Sequence, residues 1–86
     1  MVRDKDFVII FHSMHRVMQA EKILKRAKID ILLIPVPRQL SSDCGLAIRY
    51  APLEAEQVKE ALREAGLCPA ECYQYAERKY LAVTAD

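Results

Sequence analysis

The chain predicts a small α+β sandwich in which strands and helices alternate as β-α-β-β-α-β. Three observations carry that expectation. Two stretches with helical periodicity are each bracketed by short runs rich in β-branched and aromatic residues. A weak internal repeat relates the two halves. A pair of prolines marks one strand as an edge.

Asp6–His12 contains the run Phe-Val-Ile-Ile-Phe, compact and β-branched, and reads as the first strand. From Ser13 the period changes. Val17, Ala20, Ile23/Leu24 and Ala27 recur at steps of three and four, and Arg16, Gln19, Lys22, Lys25 and Arg26 take the other side. That is an amphipathic helix with Ser13 as its N-cap. Asp30–Val36 is the second strand. Pro35 and Pro37 cannot donate to a sheet ladder, so this strand belongs at an edge.

Arg38–Asp43 reads as a polar loop and Cys44–Tyr50 as the third strand. Pro52 suits a first helical position, and Ala55, Val58, Ala61/Leu62 and Ala65 form a second stripe that Gly66 terminates as a left-handed cap. Glu71–Glu77 is a fourth, weaker strand. Tyr80–Val83 is a short fifth strand after a turn at Arg78-Lys79.

The repeat lays Leu24–Ile29 over Leu62–Leu67 and, at the same offset, Val8–Ile10 over Leu46–Ile48. Two β-α-β units in one short chain imply the ferredoxin-like two-layer sandwich. Right-handed crossovers then set an antiparallel sheet of order 4-1-3-2, with the proline-bearing second strand at an edge.

At 86 residues the chain is a single domain, residues 1–86. Apolar residues make up 52% of it, which excludes a disordered or low-complexity segment. A net charge of +1 gives no pull toward nucleic acid or an anionic membrane. The longest apolar runs, Phe7–Phe11 and Ile31–Val36, are far short of the ~18 residues of a membrane helix. Three cysteines without regular spacing, and no export signal, read as thiols of a cytoplasmic protein. The third strand, Cys-Gly-Leu-Ala-Ile-Arg-Tyr, lacks the aromatic pattern of an RNA-binding sheet.

The topology decides which reactive residues meet. It brings His12, His15, Arg38, Cys44, Cys68 and Cys72 to one end of the sandwich and sends Arg49 and Tyr50 to the other. Cys44 is the candidate nucleophile. It follows Ser41-Ser42-Asp43 and precedes Gly45, so the backbone there has no bulky neighbour. Arg38, the start of the first helix and an imidazole favour its thiolate, while Asp43 opposes it. The bland reading of Cys44 is a buried strand residue sharing parity with Leu46 and Ile48. His12 and His15, as His-Ser-Met-His, could hold a soft or borderline metal ion together with Cys44. Two histidines near a helix start are more often a hydrogen-bonded cap and a surface residue. Cys68 and Cys72 lack the spacing of a zinc or redox motif, and one of them could act as a resolving thiol for Cys44.

Two stretches go beyond such patterning: Phe11-His-Ser-Met-His15 with Ala20-Glu-Lys22, and Leu33-Ile-Pro-Val-Pro-Arg38 through Leu40-Ser-Ser-Asp-Cys-Gly-Leu-Ala-Ile-Arg49. Over roughly residues 6 to 75 they resemble the small bacterial and archaeal selenium/sulfur carrier-like proteins. Met14 stands where a smaller polar residue is expected and Lys28 where Gly is commoner. The resemblance implies a carrier rather than a stand-alone enzyme, with sulfur or selenium held as a persulfide or selenosulfide on Cys44. It implies a donor such as a cysteine desulfurase, an acceptor protein and no cofactor. In that setting Arg38 and the helix start would stabilise the anionic persulfide, and His12 would move protons. Ser41 and Ser42 would hydrogen-bond the terminal chalcogen. The rival readings are a metal-trafficking module using His12, His15 and Cys44, and an interaction domain in which Cys44 is structural.

Assembly is the last expectation. The first strand is apolar on both faces, and a two-helix sandwich covers only one. An open apolar face predicts a homodimer, helped by Tyr73 and Tyr75, unless Tyr80–Val83 covers it instead.

Overall fold

A computed structural model describes residues 2–40 and 45–83. The elements are β1 (Phe7–Ile10), α1 (Met14–Arg26), β2 (Ile31–Pro35), β3 (Leu46–Tyr50), a single 3-10 turn at Pro52–Glu54, α2 (Ala55–Ala65), β4 (Glu71–Ala76) and β5 (Lys79–Ala82). The five strands form one antiparallel sheet in the order β2-β3-β1-β4-β5. This α+β arrangement differs from the expected four-strand ferredoxin-like order 4-1-3-2. β5 pairs along the outside of β4, so β4 is interior and β5 holds that edge.

The local reasons are visible in the residues. Ser13 is extended and its hydroxyl accepts from the Arg16 amide at 3.3 Å, which starts α1. Pro35 sits in β2 opposite Leu46, at the edge that its missing N–H requires. The turn into β5 lies one residue before the expected Arg78-Lys79. Glu77 and Arg78 both have positive φ, 51° and 63°, and Ala76 pairs with Lys79. That is the two-residue I′ geometry whose twist matches a hairpin.

The internal repeat turns out to be a repeated helix ending. The Ile29 amide donates to Leu24 carbonyl at 3.0 Å and the Leu67 amide to Leu62 carbonyl at 2.9 Å. Lys28 and Gly66 supply the left-handed residue at φ 62° and 70°. Both ends are Schellman caps, closed by a buried Leu on one side and Ile29 or Leu67 on the other. Lys28 occupies without help a conformation that costs a side-chain-bearing residue roughly 1 kcal/mol.

The sheet separates two apolar layers. On the helix side, Ile9, Ile48 and Tyr50 pack with Val17, Ala20 and Leu24 of α1 and Val58 and Leu62 of α2. On the other side, Val8, Ile10, Ile34 and Ala47 are buried under Val2, Val36, Leu40, Tyr73 and Tyr80. The open face that predicted a homodimer is therefore covered within one chain. Val2, the segment after β2 and the β4–β5 hairpin do the covering. Tyr80 does from β5 what the alternative expectation assigned to the C-terminal segment.

Candidate functional site

β1 ends at Ile10, and His12 follows in the left-handed region at φ 51°, which turns the chain from the strand into α1. Histidine tolerates that region better than most side chains. β4 runs antiparallel to β1 with Glu71 opposite Ile10, so the two side chains meet at the sheet end: His12 Nε2 contacts Glu71 Oε2. Tyr73, two residues along and on the same face, donates its hydroxyl to Glu71 Oε1. The Tyr73 hydrogen bond and then His12 hold the Glu71 carboxyl below its ordinary range. The same bond holds the Tyr73 phenol above its own.

This relay orients the imidazole. With Nε2 committed to Glu71, a neutral His12 presents Nδ1 as an acceptor toward solvent. Glu71 was not among the residues singled out from the sequence, and Tyr73 was singled out only as a dimer contact. The signal was there, since a Glu-x-Tyr pair at the start of a strand flanking the first must lie beside that strand's end.

The β2–β3 connection closes at the same end of the sheet. The Val36 amide donates to the Gly45 carbonyl at 3.0 Å, and Leu40 donates to Pro37 at 3.0 Å to close the turn that carries Arg38. Arg38 is exposed, and so is His15 in the first turn of α1. Gly45 is not sterically demanded: a Cβ there would meet Val36 Cγ2 at an ordinary 3.6 Å. Ser41, Ser42, Asp43 and Cys44 lie outside the described residues. Among the described residues no group of three His, Cys, Asp or Glu side chains converges as metal ligands do.

The expected gathering of Cys72 with the histidines needs correction. Cys72 is opposite Ile9 and shares its face, so its thiol points to the helix side, away from His12 and Glu71. Strand alternation makes neighbours on β4 face opposite ways. Tyr50 does lie at the far end, opposite Phe7, but it shares the helix-side face with Ile9, and its phenol acts on the Cys72 thiol from there. Burial pushes the Cys72 thiol up, against the opposing pull of Tyr50 and of Lys59. Burial also pushes the Tyr50 phenol far above its usual range. Cys68 is exposed, and both cysteines are free thiols. They line a cavity of about 590 Å³ between α2 and the sheet.

Among the described residues no helix is long and apolar enough to cross a membrane. The model of the family described as "Putative Se/S carrier protein-like" matches residues 6–74. No curated protein and no solved structure matches the chain.

Proposed function

Because the chain belongs to the Se/S carrier protein-like family, we propose that it holds sulfur or selenium on Cys44 and passes it between protein partners. The observation that supports this reading is the oriented His12. It stands at the sheet end where the segment containing Cys44 returns into β3 through Gly45. A carrier needs a thiolate and a nearby group that exchanges protons near neutral pH.

Loading is a transfer without net oxidation. The Cys44 thiolate attacks the terminal sulfur of a donor persulfide, such as that of a cysteine desulfurase. The donor's S–S bond breaks, its cysteine leaves as thiolate, and the new S–S bond forms on Cys44. His12 Nδ1 takes the proton of the incoming thiol and returns it to the departing one. Arg38, on the exposed turn of the same connection, stabilises the anionic persulfide. Ser41 and Ser42 flank the thiol in sequence and offer hydroxyls to the terminal chalcogen. A selenium donor would form the selenosulfide by the same displacement.

The test is intact mass after incubation with a persulfide donor and no reductant. The expected result is a gain of one sulfur atom that Cys44→Ser abolishes and that Cys68→Ser and Cys72→Ser retain. A gain that persists unchanged in Cys44→Ser would overturn the assignment.

A further inference from the structure

The cavity between α2 and the sheet plays no part in the carrier reading, and its lining points to a ligand of its own. Its walls are apolar: Phe7 and Ile9 from β1, Val58 and Leu62 from α2, and Leu67 beyond the helix end. The charged groups along it are few and of one sign. Lys59 and Arg63 stand one helical turn apart on α2, and the Tyr50 hydroxyl and the Cys68 and Cys72 thiols are the uncharged polar groups beside them. The chain carries 12 acidic residues, yet none of the described residues lining the cavity is Asp or Glu. Among the described residues Arg63 contacts the carboxylate of Glu60, outside the lining, at 3.7 Å between two exposed side chains. Such a pair is weak enough for the guanidinium to turn toward another anion. Lys59 is close enough for its charge to act on Cys72.

An apolar pocket of several hundred Å³ with a few convergent polar groups is the usual form of a small-molecule site. Two cations, with no carboxylate among the described lining residues, define the charge of this apolar cavity. We infer that this cavity binds an amphipathic organic anion, its aliphatic or aromatic body against Ile9, Leu62 and Leu67 and its carboxylate on Lys59 and Arg63. Strand alternation places this ligand on the opposite sheet face from His12 and Glu71, so it does not depend on the carrier role.

Decanoate is the probe, with decan-1-ol as the uncharged control, and Cys44→Ser protein is the host so that sulfur loading plays no part. Decanoate should move the amide resonances of Ile9, Leu62 and Leu67 and bind with a Kd below about 1 mM. It should also slow alkylation of Cys72. The double variant Lys59→Gln/Arg63→Gln changes only exposed side chains and should weaken decanoate about tenfold while leaving decan-1-ol unaffected, a difference of about 1.4 kcal/mol. Ala55→Phe, which fills the cavity from α2, should weaken both, with circular dichroism confirming that it is folded. Equal affinity for decanoate and decan-1-ol, wild-type decanoate affinity in the double variant, or resonance shifts confined to the outer face of the sheet would each overturn the inference.

Discussion

Two carboxylate–cation pairs flank strand β1, and they live in opposite environments. At its start, Asp6 Oδ2 takes the Arg49 Nε–H at 2.7 Å and the Arg3 amide at 2.8 Å, with the side chains only 4% and 19% exposed. At its far end, His12 meets Glu71 with side chains 58% and 30% exposed. Each pair sets a carboxylate against a basic nitrogen, but water is not shared alike. A carboxylate stranded in the interior has no solvent to fall back on, so the first pair locks β1 to β3. The second pair can break and re-form at little cost, which leaves His12 free to exchange protons. Chemistry belongs at the wet end.

The largest effect that could break this comparison is at Arg49. Arg49→Ala leaves Asp6 buried with only backbone help and should cost about 3–5 kcal/mol in urea unfolding at pH 7. A loss below about 1 kcal/mol, the usual range of an exposed pair, would erase the asymmetry.

The next effect tests the dry side of the sheet at high pH. The Tyr50 phenol is raised by burial and then by the neighbouring Cys72, so the folded chain keeps its proton where the unfolded chain releases it near pH 10. Native holds more protons than unfolded, so the stabilisation is complete below that pH and is lost as pH rises beyond it. Stability should fall by about 1.4 kcal/mol per pH unit there, as expected for one group. Cys72, also raised, adds to the fall from about its ordinary 9.0. Unfolding curves from pH 8 to 11 should flatten in Tyr50→Phe. The same slope in wild type and variant would mean that Tyr50 is not the group responsible.

The smallest stability effect is the one that sharpens the functional half. Glu71→Gln should cost no more than about 0.5 kcal/mol at pH 7, because His12 is exposed, Tyr73 is only half-buried and the glutamine amide can still accept from the phenol. The lowered Glu71 carboxyl makes even this contribution present above its ordinary 4.5 and lost as pH falls through its folded value. The Tyr73 phenol should return toward its ordinary 10.0 in an NMR titration, since Glu71 is what raises it. On the carrier reading, sulfur loading of Cys44 should slow by about tenfold or more, the scale of general acid–base help. Unchanged loading in a folded Glu71→Gln protein would remove the relay from the mechanism.

Much of the frame was legible along the chain. Ser13 capping α1, Gly66 ending α2 and the prolines holding β2 at an edge each follow from one residue's backbone preference. The repeat was legible too, though its meaning was not. What recurs is a Schellman cap, with Lys28 bearing the left-handed residue that Gly66 bears without cost. The site was only half legible. His12 and Arg38 were visible by type, whereas Glu71 and Tyr73 looked like ordinary strand residues until β4 was laid against β1.

Periodicity and capping act within a few residues, so the sequence alone determined where helices and strands begin, which stripe each helix buries, and which family the chain resembles. Pairing partners, and the face each strand residue meets, depend on contacts across the sheet. Tertiary structure therefore decided that β5 extends the sheet beyond β4 and that Val2, Leu40 and Tyr80 seal the face read as open. It also decided that adjacent residues part company: Glu71 goes to the wet relay with His12 and Cys72 to the dry cavity with Tyr50. A strand's alternation is written in the chain, but only the neighbouring strand and helix say what lies on each side.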